Sequence, residues 1–559
     1  MHADMEGENG TPLRVFFYHP VLLVDYVLQQ CPNLRRIYAE AAIRDPCSQQ
    51  RPWKIVLGCD EHTPGSKVNH DNRRKSMVLS FNFENLGRDA LETDATWFVP
   101  LVVQTTTIGT ISGGWSVLLR EFLRHLLIGP RSFSGAGILV HYTFGVNNTV
   151  CSKLVGILSQ ALTDGEGLQK CLQWRGQASM RPDFVHSNVY SSATMADEAA
   201  GYVTTNCVDE DKFRQWSRAG FDRNFDECLA AWHQYDRGEI NKTHLNELQK
   251  AGGYNSTPNG LLADLQLRAQ CDWRVVWRYD WMHTAFQDGF MSCAMWLVLS
   301  SITDNNYNSD YGAFKTYLRQ CQYPLKQSSA CRQLYRLFEP KMVSKHNAKS
   351  SIVANASSQF SLYPIVHEWA LGEAGEGGPL QQHVLVYVAA CEIIDILKQI
   401  KYRRASTSTS QPKLVAAVSR WQRMHIALYG GQYFKPKSFW IRSIAMRIDR
   451  SEYLFDMWTV ERLHQGVRLQ LELVRNTITL EKSSLRLVLD ARIATLMCKS
   501  FSVQHIVGRS VDSLYGTLGD SCVSFGFHAH VDEVVVHESG KCGIIVECIS
   551  NAGLMYVKV

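Results

Sequence analysis

The sequence predicts an α/β fold in which a sheet-containing core is interrupted by a large all-α insertion and followed by a small β-barrel or sandwich domain. Three observations carry this. Runs rich in Val, Ile, Phe, Trp and Thr cluster between residues 53 and 108 with Gly and Asn between them, as neighbouring strands require. From about 166 to 450 the apolar residues recur at three- and four-residue spacings, the helical period. The last 50 or so residues alternate Val and Ile with Gly, Asn and Ser, the composition of short strands and tight turns. At 559 residues the chain exceeds one ordinary core, since domains run to roughly 100–200 residues.

Residues 1–50 read as a helical preamble, because VLLVDYVLQQ and LRRIYAEAAIR are amphipathic at helical spacing. Residues 51–165 hold the core. Its strands are WKIVLGCDE (53–61), MVLSFNFEN (77–85) and WFVPLVVQTTTI (97–108). A helix, WSVLLREFLRHLLIG (115–129), follows and stops at Gly129-Pro130. ILVHYTFG (138–145) and KLVGILSQALTDG (153–165) form an extended pair joined through Val146-Asn147-Asn148. Gly109, Gly113 and Gly114 lack a phosphate-cradling Lys and mark a turn. Residues 166–450 are the helical insertion, with FDECLAAWHQY, THLNELQKAGG, AFQDGFMSCAMWLVLSSI and VLVYVAACEIIDILKQIK as its clearest helices. Inside it, RASTSTSQPK (404–413) has the composition of an exposed loop. Residues 451–500 supply core-completing helices, beginning with MWTVERLHQGVRLQLELVRN (457–476), and 501–559 form the small β domain.

Composition narrows the function classes only a little. Apolar residues make up 45% and charged residues 20%, as in an average globular chain. A net charge of +5 permits contact with nucleic acid without demanding it. Sixteen cysteines with no Cys-x-x-Cys pair suggest buried thiols of a reducing compartment, nuclear or cytoplasmic, more than a disulfide framework. The acidic start lacks a secretory n-region, and the longest apolar stretch (291–302) is short of the about 20 residues a membrane span needs, so no export and no membrane partner are expected. A P-loop, a Gly-x-Ser-x-Gly elbow and a His-Glu-x-x-His motif are all missing.

Three carboxylates stand out by place. Asp60 ends the first strand, where it either holds a divalent cation at the mouth of a sheet or simply opens a turn. Asp164 ends a later strand before a helical pattern, as a ligand or as a helix N-cap. Glu461 lies on the 457–476 helix beside Arg462, as a third ligand or as ordinary helix surface. Together they could hold two Mg²⁺ or Mn²⁺ ions about 3.5–4 Å apart and cut or join phosphodiesters.

At these residues the sequence resembles the RNase H-like DDE transposases of the hAT/CACTA-like kind, and more closely a transposon-derived group of uncharacterised protist proteins. The resemblance covers most of residues 53–559. It rests on IVLGCDEHTPG with RRKSMVLSFNFENLG, on TDGEGLQKCLQWRGQASMRP with HSNV, and on YDWMH, GGQYFKPKSFW and TVERLHQGVR. It implies an RNase H-like mixed-sheet core, Asp60, Asp164 and Glu461 as the catalytic and metal-binding triad, Mg²⁺ or Mn²⁺ as cofactor, and DNA as partner, often in a homo-oligomer. It also implies that Asp280 and His283, which match a C/D-x-x-H signature, support the active-site region. Where relatives carry a Cys that could help bind zinc, this chain has Asp183, which with His186 alone makes no zinc site. No N-terminal DNA-reading module is recognisable. Arg73, Arg74 and Lys75, the basic run at 401–404, and Lys435 and Lys437 are the candidate phosphate contacts, with solvated surface as the plainer reading.

Three functions therefore compete: a metal-dependent DNA strand-cleaving and strand-transferring enzyme, a catalytically inactive domesticated relic that binds DNA or protein with the same fold, and a helical interaction protein whose carboxylates are structural. The mutual placement of the three acids separates them.

Overall fold

The computed structural model describes residues 2–7, 9–63, 74–144, 148–305, 311–321, 331–374, 378–402, 405–451, 453–474 and 480–498, together with the backbone of short strands between 511 and 558. The chain opens with a hairpin, β1 (His2–Glu6) against β2 (Pro12–Phe16), which the helical reading of residues 1–50 misses. Then come α1 (Pro20–Gln30) and α2 (Pro32–Arg44), each with Pro at its start, where a missing N–H costs nothing. Next are β3 (Trp53–His62), β4 (Ser76–Phe83), β5 (Phe98–Gln104), α3 (Gly114–Leu127), β6 (Ile138–Phe144), β7 (Asn148–Leu154), β8 (Gly156–Thr163) and α4 (Gly165–Leu172). They lead through α5 (Arg218–Asp236) and α6 (Lys242–Gly252) to a short strand, β9 (Trp277–Tyr279). Six longer or well-packed helices follow: α7 (Trp281–Phe286), α8 (Phe290–Asn305), α9 (Ala356–Ala374), α10 (Gln381–Lys401), α11 (Thr407–Tyr429) and α12 (Pro436–Ala445). The last two helices are α13 (Met457–Leu473) and α14 (Leu480–Met497). Among the described residues no helix is long and apolar enough to cross a membrane.

The chain divides into two compact units. The first comprises 1–204, 213–280 and 456–506, and is built on a five-stranded mixed sheet in the order β9-β8-β3-β4-β5. β3, β4 and β5 run antiparallel as a meander, and β8 and β9 lie parallel to β3. Every residue of β4 is buried, Ser76, Ser80 and Asn82 included, so the sheet is covered on both faces. Alternation along β3 assigns the covers. Gly58 lies against Val460 of α13, and the next residue, Cys59, meets Cys171 of α4 with its sulfur 3.4 Å away. Helices α13 and α4 thus sit on opposite faces. The turn before α3 uses Gly113 (φ 82°) and Gly114 (φ 61°), left-handed positions that glycine occupies at least cost, as the glycine cluster predicts.

Two readings shift here. The extended pair of 138–165 is in fact β6 with β7, and β8 leaves that hairpin to join the main sheet. β9, the fifth strand of that sheet, lies inside the stretch assigned wholly to the helical insertion; at three residues, Trp277–Tyr279, it is too short to show a period of two.

The second unit comprises 205–212, 281–455 and 507–559. Helices α7 to α12 form its core around Phe290, Trp421, Tyr387 and Phe439, all essentially inaccessible. The 285–302 pattern breaks into α7 and α8 at Asp288, whose φ of 53° ends the first helix. The Ser/Thr-rich run expected to be a loop is instead the first turns of α11, because the Ser406 side chain caps the helix by accepting from Thr409 N at 3.1 Å. Buried Thr407 donates to Ser451 O at 2.6 Å. Ser406→Ala should therefore destabilise this unit by about 1 kcal/mol, read as a lower midpoint in urea unfolding.

His425, on the inner face of α11 among Trp421, Tyr429 and Phe434, is fully buried. Burial pushes its imidazole down to about 4 from an ordinary 6.5, with a backbone hydrogen bond opposing in part. The unfolded chain therefore binds this proton first, and stability present above pH 6.5 is lost as pH falls toward 4. Between pH 8 and pH 5 the loss from this group is about 2 kcal/mol. His425→Phe should remove that part of the acid sensitivity when urea unfolding is compared at the two pH values. Beyond 507, eight short strands are described, forming a four-stranded antiparallel sheet and two hairpins.

Candidate functional site

The register of the first unit's sheet sets its acids side by side. Gly58 of β3 pairs with Leu162 of β8, which pairs in turn with Arg278 of β9. Two residues further along each of these parallel strands come Asp60, Asp164 and Asp280, at the same carboxyl-terminal edge. Such an edge is where open α/β sheets place their ligands.

Asp60 shares the face of Gly58, toward α13. Its Oδ1 accepts from Glu61 N at 2.8 Å, and its Oδ2 lies 3.7 Å from Nδ1 of His464. Helix α13 reaches this edge because glycine at 58 lets Val460 seat against the strand; His464 is one turn further on the same helical face. Glu461, half-buried, flanks that face three residues before His464. His62, two residues past Asp60 and so on the same face of β3, brings its ring centroid 6.0 Å from that of His464. Burial pushes His464 down to about 3, helped by His62 and Arg492, and pushes His62 down to about 4. Both rings are neutral at physiological pH.

The opposite face is organised by lysines. Glu61 pairs with Lys75 and with Lys170 Nζ at 3.0 Å, and Lys170 also meets Glu166 at 2.9 Å. Burial alone would raise the Glu61 carboxyl, but the two lysines outweigh it and hold it below its usual range.

Asp164 performs the helix N-cap role weighed for it: its Oδ1 accepts from Gly167 N at 2.6 Å at the start of α4. Asp280 is buried, and its Oδ1 accepts from Met457 N at 3.0 Å, the first residue of α13. It precedes α7, the helix that carries His283, so the two do not share one helix. His283 is itself nearly buried, and its carbonyl accepts from Lys437 Nζ at 3.3 Å.

Sheet and helix thus bring Asp60, Asp164 and Glu461 into one unit, yet among the described residues no group of three or more His, Cys, Asp or Glu stands ready to hold a metal ion.

The basic candidates mostly have internal work. Arg74 Nη1 approaches the carbonyls of Leu471 and Glu472 at 3.4 Å, where a cation suits the negative end of α13. Lys75 pairs with Glu61 as above, Lys435 with Asp288, and Lys437 with the Gln287 carbonyl. Arg73, with Arg403 and Arg404, lies outside the described residues. Asp183, at the zinc-loop position, is buried against His186, its Oδ2 2.7 Å from Nδ1, while its Oδ1 accepts from the Tyr279 hydroxyl at 2.8 Å. It is a strut between that loop and β9.

Sequence reasoning missed His464 and His62. The signal was present: His464 follows Val460 by four residues on a helix, and His62 follows Asp60 by two on a strand. Comparison with protein-family models and with curated proteins finds no match for the chain.

Proposed function

We propose that the chain is a transposon-derived, DDE transposase-like protein whose first unit is an RNase H-like core and whose C-terminal strands make a small barrel or sandwich. In this reading Asp60, Asp164 and Glu461 act on DNA phosphodiesters with Mg²⁺ or Mn²⁺. One observation carries it: Asp60 and Asp164 stand level on adjacent parallel strands, and the helix bearing Glu461 is seated on the strand of Asp60. The sheet order supports it further, because a three-stranded meander extended by two strands parallel to its first member is the mixed sheet such a core requires.

The donor types suit a hard cation: Asp60 and Asp164 stand at one edge of the sheet and Glu461 on the helix seated against the strand of Asp60, while Glu61 pairs with Lys75 and Lys170. The chemistry a bound Mg²⁺ or Mn²⁺ supplies is activation of a water or 3′-hydroxyl and neutralisation of charge on the leaving oxygen. Asp60 and Glu461 would hold such ions from the α13 face. Asp164 would contribute Oδ2 while Oδ1 keeps its cap. Asp280 fixes the start of α13 and through it the reach of Glu461.

The inactive-scaffold reading draws on one specific observation, the Asp164 cap with no ready cluster of three ligands. The deciding experiment incubates the full chain with labelled duplex DNA and Mn²⁺. Strand nicking or joining that disappears in Glu461→Gln supports the enzyme. Duplex binding without any cleavage favours the scaffold, and neither binding nor cleavage leaves the helical interaction protein.

A further inference from the structure

We propose that Lys75 and Lys170 form a clamp for one backbone phosphate of DNA at the edge of the first unit's sheet, and that Glu61 occupies this clamp in the free protein until a phosphate displaces it. The inference rests on the DNA reading above and adds to it the residues that seat the substrate backbone and a built-in competitor for them.

Two ammonium groups from separate elements grip one carboxylate. Lys75, the residue before β4, meets Oε1 of Glu61, and Lys170, on the second turn of α4, meets Oε2 with its Nζ at 3.0 Å. A phosphodiester presents two non-bridging oxygens that share one negative charge, as a carboxylate does, so a pair of ammonium groups set for Glu61 is also set for a phosphate. The stems are fixed while the heads stay open to water. The Lys75 carbonyl accepts from Thr105 N at 2.8 Å and from the Thr105 hydroxyl at 3.1 Å, which ties it to the end of β5. The side chains of Lys75 and Lys170 are nevertheless 35% and 33% exposed, and that of Glu61 is 23% exposed. Burial alone would lower the Lys170 ammonium, but Glu166 and Glu61 outweigh it and hold it above its ordinary range, so it stays charged.

The placement suits the proposed chemistry. Glu61 directly follows Asp60, and α4, which carries Lys170, starts from Asp164. Ser76, next after Lys75, pairs with His62, next after Glu61, so Lys75 stands at the same end of the sheet as the two aspartates. A DNA backbone seated in the clamp therefore passes the edge where Asp60 and Asp164 stand. Displacing Glu61 costs little, because ion pairs this open to water add little net stability and weaken with salt. A duplex, by contrast, releases counterions when lysines neutralise its phosphates, a gain that Glu61 cannot offer. Glu61 and Glu166 balance the two lysines in the free chain, so a small anion meets no net attraction here, whereas a polyanion brings the counterion gain with it.

The test measures binding of the full chain to a fluorescently labelled DNA duplex across a range of salt, with a chelator present and no divalent ion. Glu61→Gln keeps the shape of the side chain and frees both lysines; it is expected to bind roughly three- to tenfold tighter than the wild type, with a steeper salt dependence. That gain should vanish when Lys75→Ala and Lys170→Ala are added, although the change in charge at position 61 is the same. In the otherwise wild-type chain, each lysine variant alone should weaken binding and lower the slope of log K against log[salt] by about one. Duplex binding that Glu61→Gln leaves unchanged, or a gain that persists without the lysines, would overturn the clamp and leave the DNA reading standing. No duplex binding by either the wild type or Glu61→Gln would overturn both. A chain that binds duplex through the clamp yet never cleaves it when Mn²⁺ is supplied keeps the clamp and loses only the catalytic triad. Because the lysine variants are also read with Glu61 intact, a poorly folded Glu61→Gln does not remove the test.

Discussion

Asp60→Asn is expected to lower Mn²⁺-dependent DNA cleavage a thousandfold or more, equivalent to about 4 kcal/mol of transition-state stabilisation, with little change in stability. The exchange removes the charge and keeps the shape of the side chain. Asp60 Oδ1 accepts a hydrogen bond from Glu61 N, and the amide oxygen of Asn can accept the same bond. The side chain is partly exposed at the end of β3, so no cavity opens, and the stability change should stay within about 0.5 kcal/mol. What disappears is the anionic oxygen that faces His464 and, in the proposed mechanism, the cation. Single-turnover cleavage beside thermal unfolding reads both quantities. Cleavage at wild-type rate in a folded Asp60→Asn would remove Asp60 from the chemistry, and the transposase reading with it.

The parts of the fold that were legible in the sequence were those written in side-chain periodicity. β3, β4 and β5 carry β-branched and aromatic runs, and their bounds fall within a few residues of those expected. Helix α3 alternates its apolar face at helical spacing between a glycine turn and Gly129. What escaped was set by partners distant in sequence. β9 is three residues long and is a strand because Tyr279 pairs beside Thr163 on β8. The Ser/Thr run of α11 is polar in composition, yet Ser406 caps it and Thr407 finds a carbonyl 44 residues away. At the candidate site, local spacing pointed to Asp60 and Asp164 as strand-end acids. It offered no view of Asp280 as their neighbour, because that depends on register across three strands. His464 stands four residues after Val460 on α13, a helical spacing visible in the sequence, but which face of that helix meets Gly58 follows only from the fold.

Gly58→Val should destabilise the first unit by about 2 kcal/mol and weaken metal binding and cleavage beyond what stability alone explains. A Cβ built at Gly58 stands 2.7 Å from Val460 Cγ2 and 3.3 Å from Ser80 Oγ, so even alanine forces the helix or strand to move. Overpacking of this kind costs about 1–3 kcal/mol, while replacing a strand glycine recovers part of it through lost backbone entropy, about 0.5–1 kcal/mol. The yielding element is α13, whose start is held by Asp280 but whose face rests on this contact. Lifting it carries His464 away from Asp60 and takes Glu461 with it. Val460→Ala makes room for the new side chain, so the double variant Gly58→Val with Val460→Ala should recover both stability and Mn²⁺ affinity, with a coupling of about 1–2 kcal/mol in the double-mutant cycle. Urea unfolding and Mn²⁺ titration on the four proteins of the cycle read the two quantities separately. If stability recovers in the double variant while Mn²⁺ affinity never changed in any of them, α13 is a structural cover only, and the cation, if any, is held by the strand ends alone.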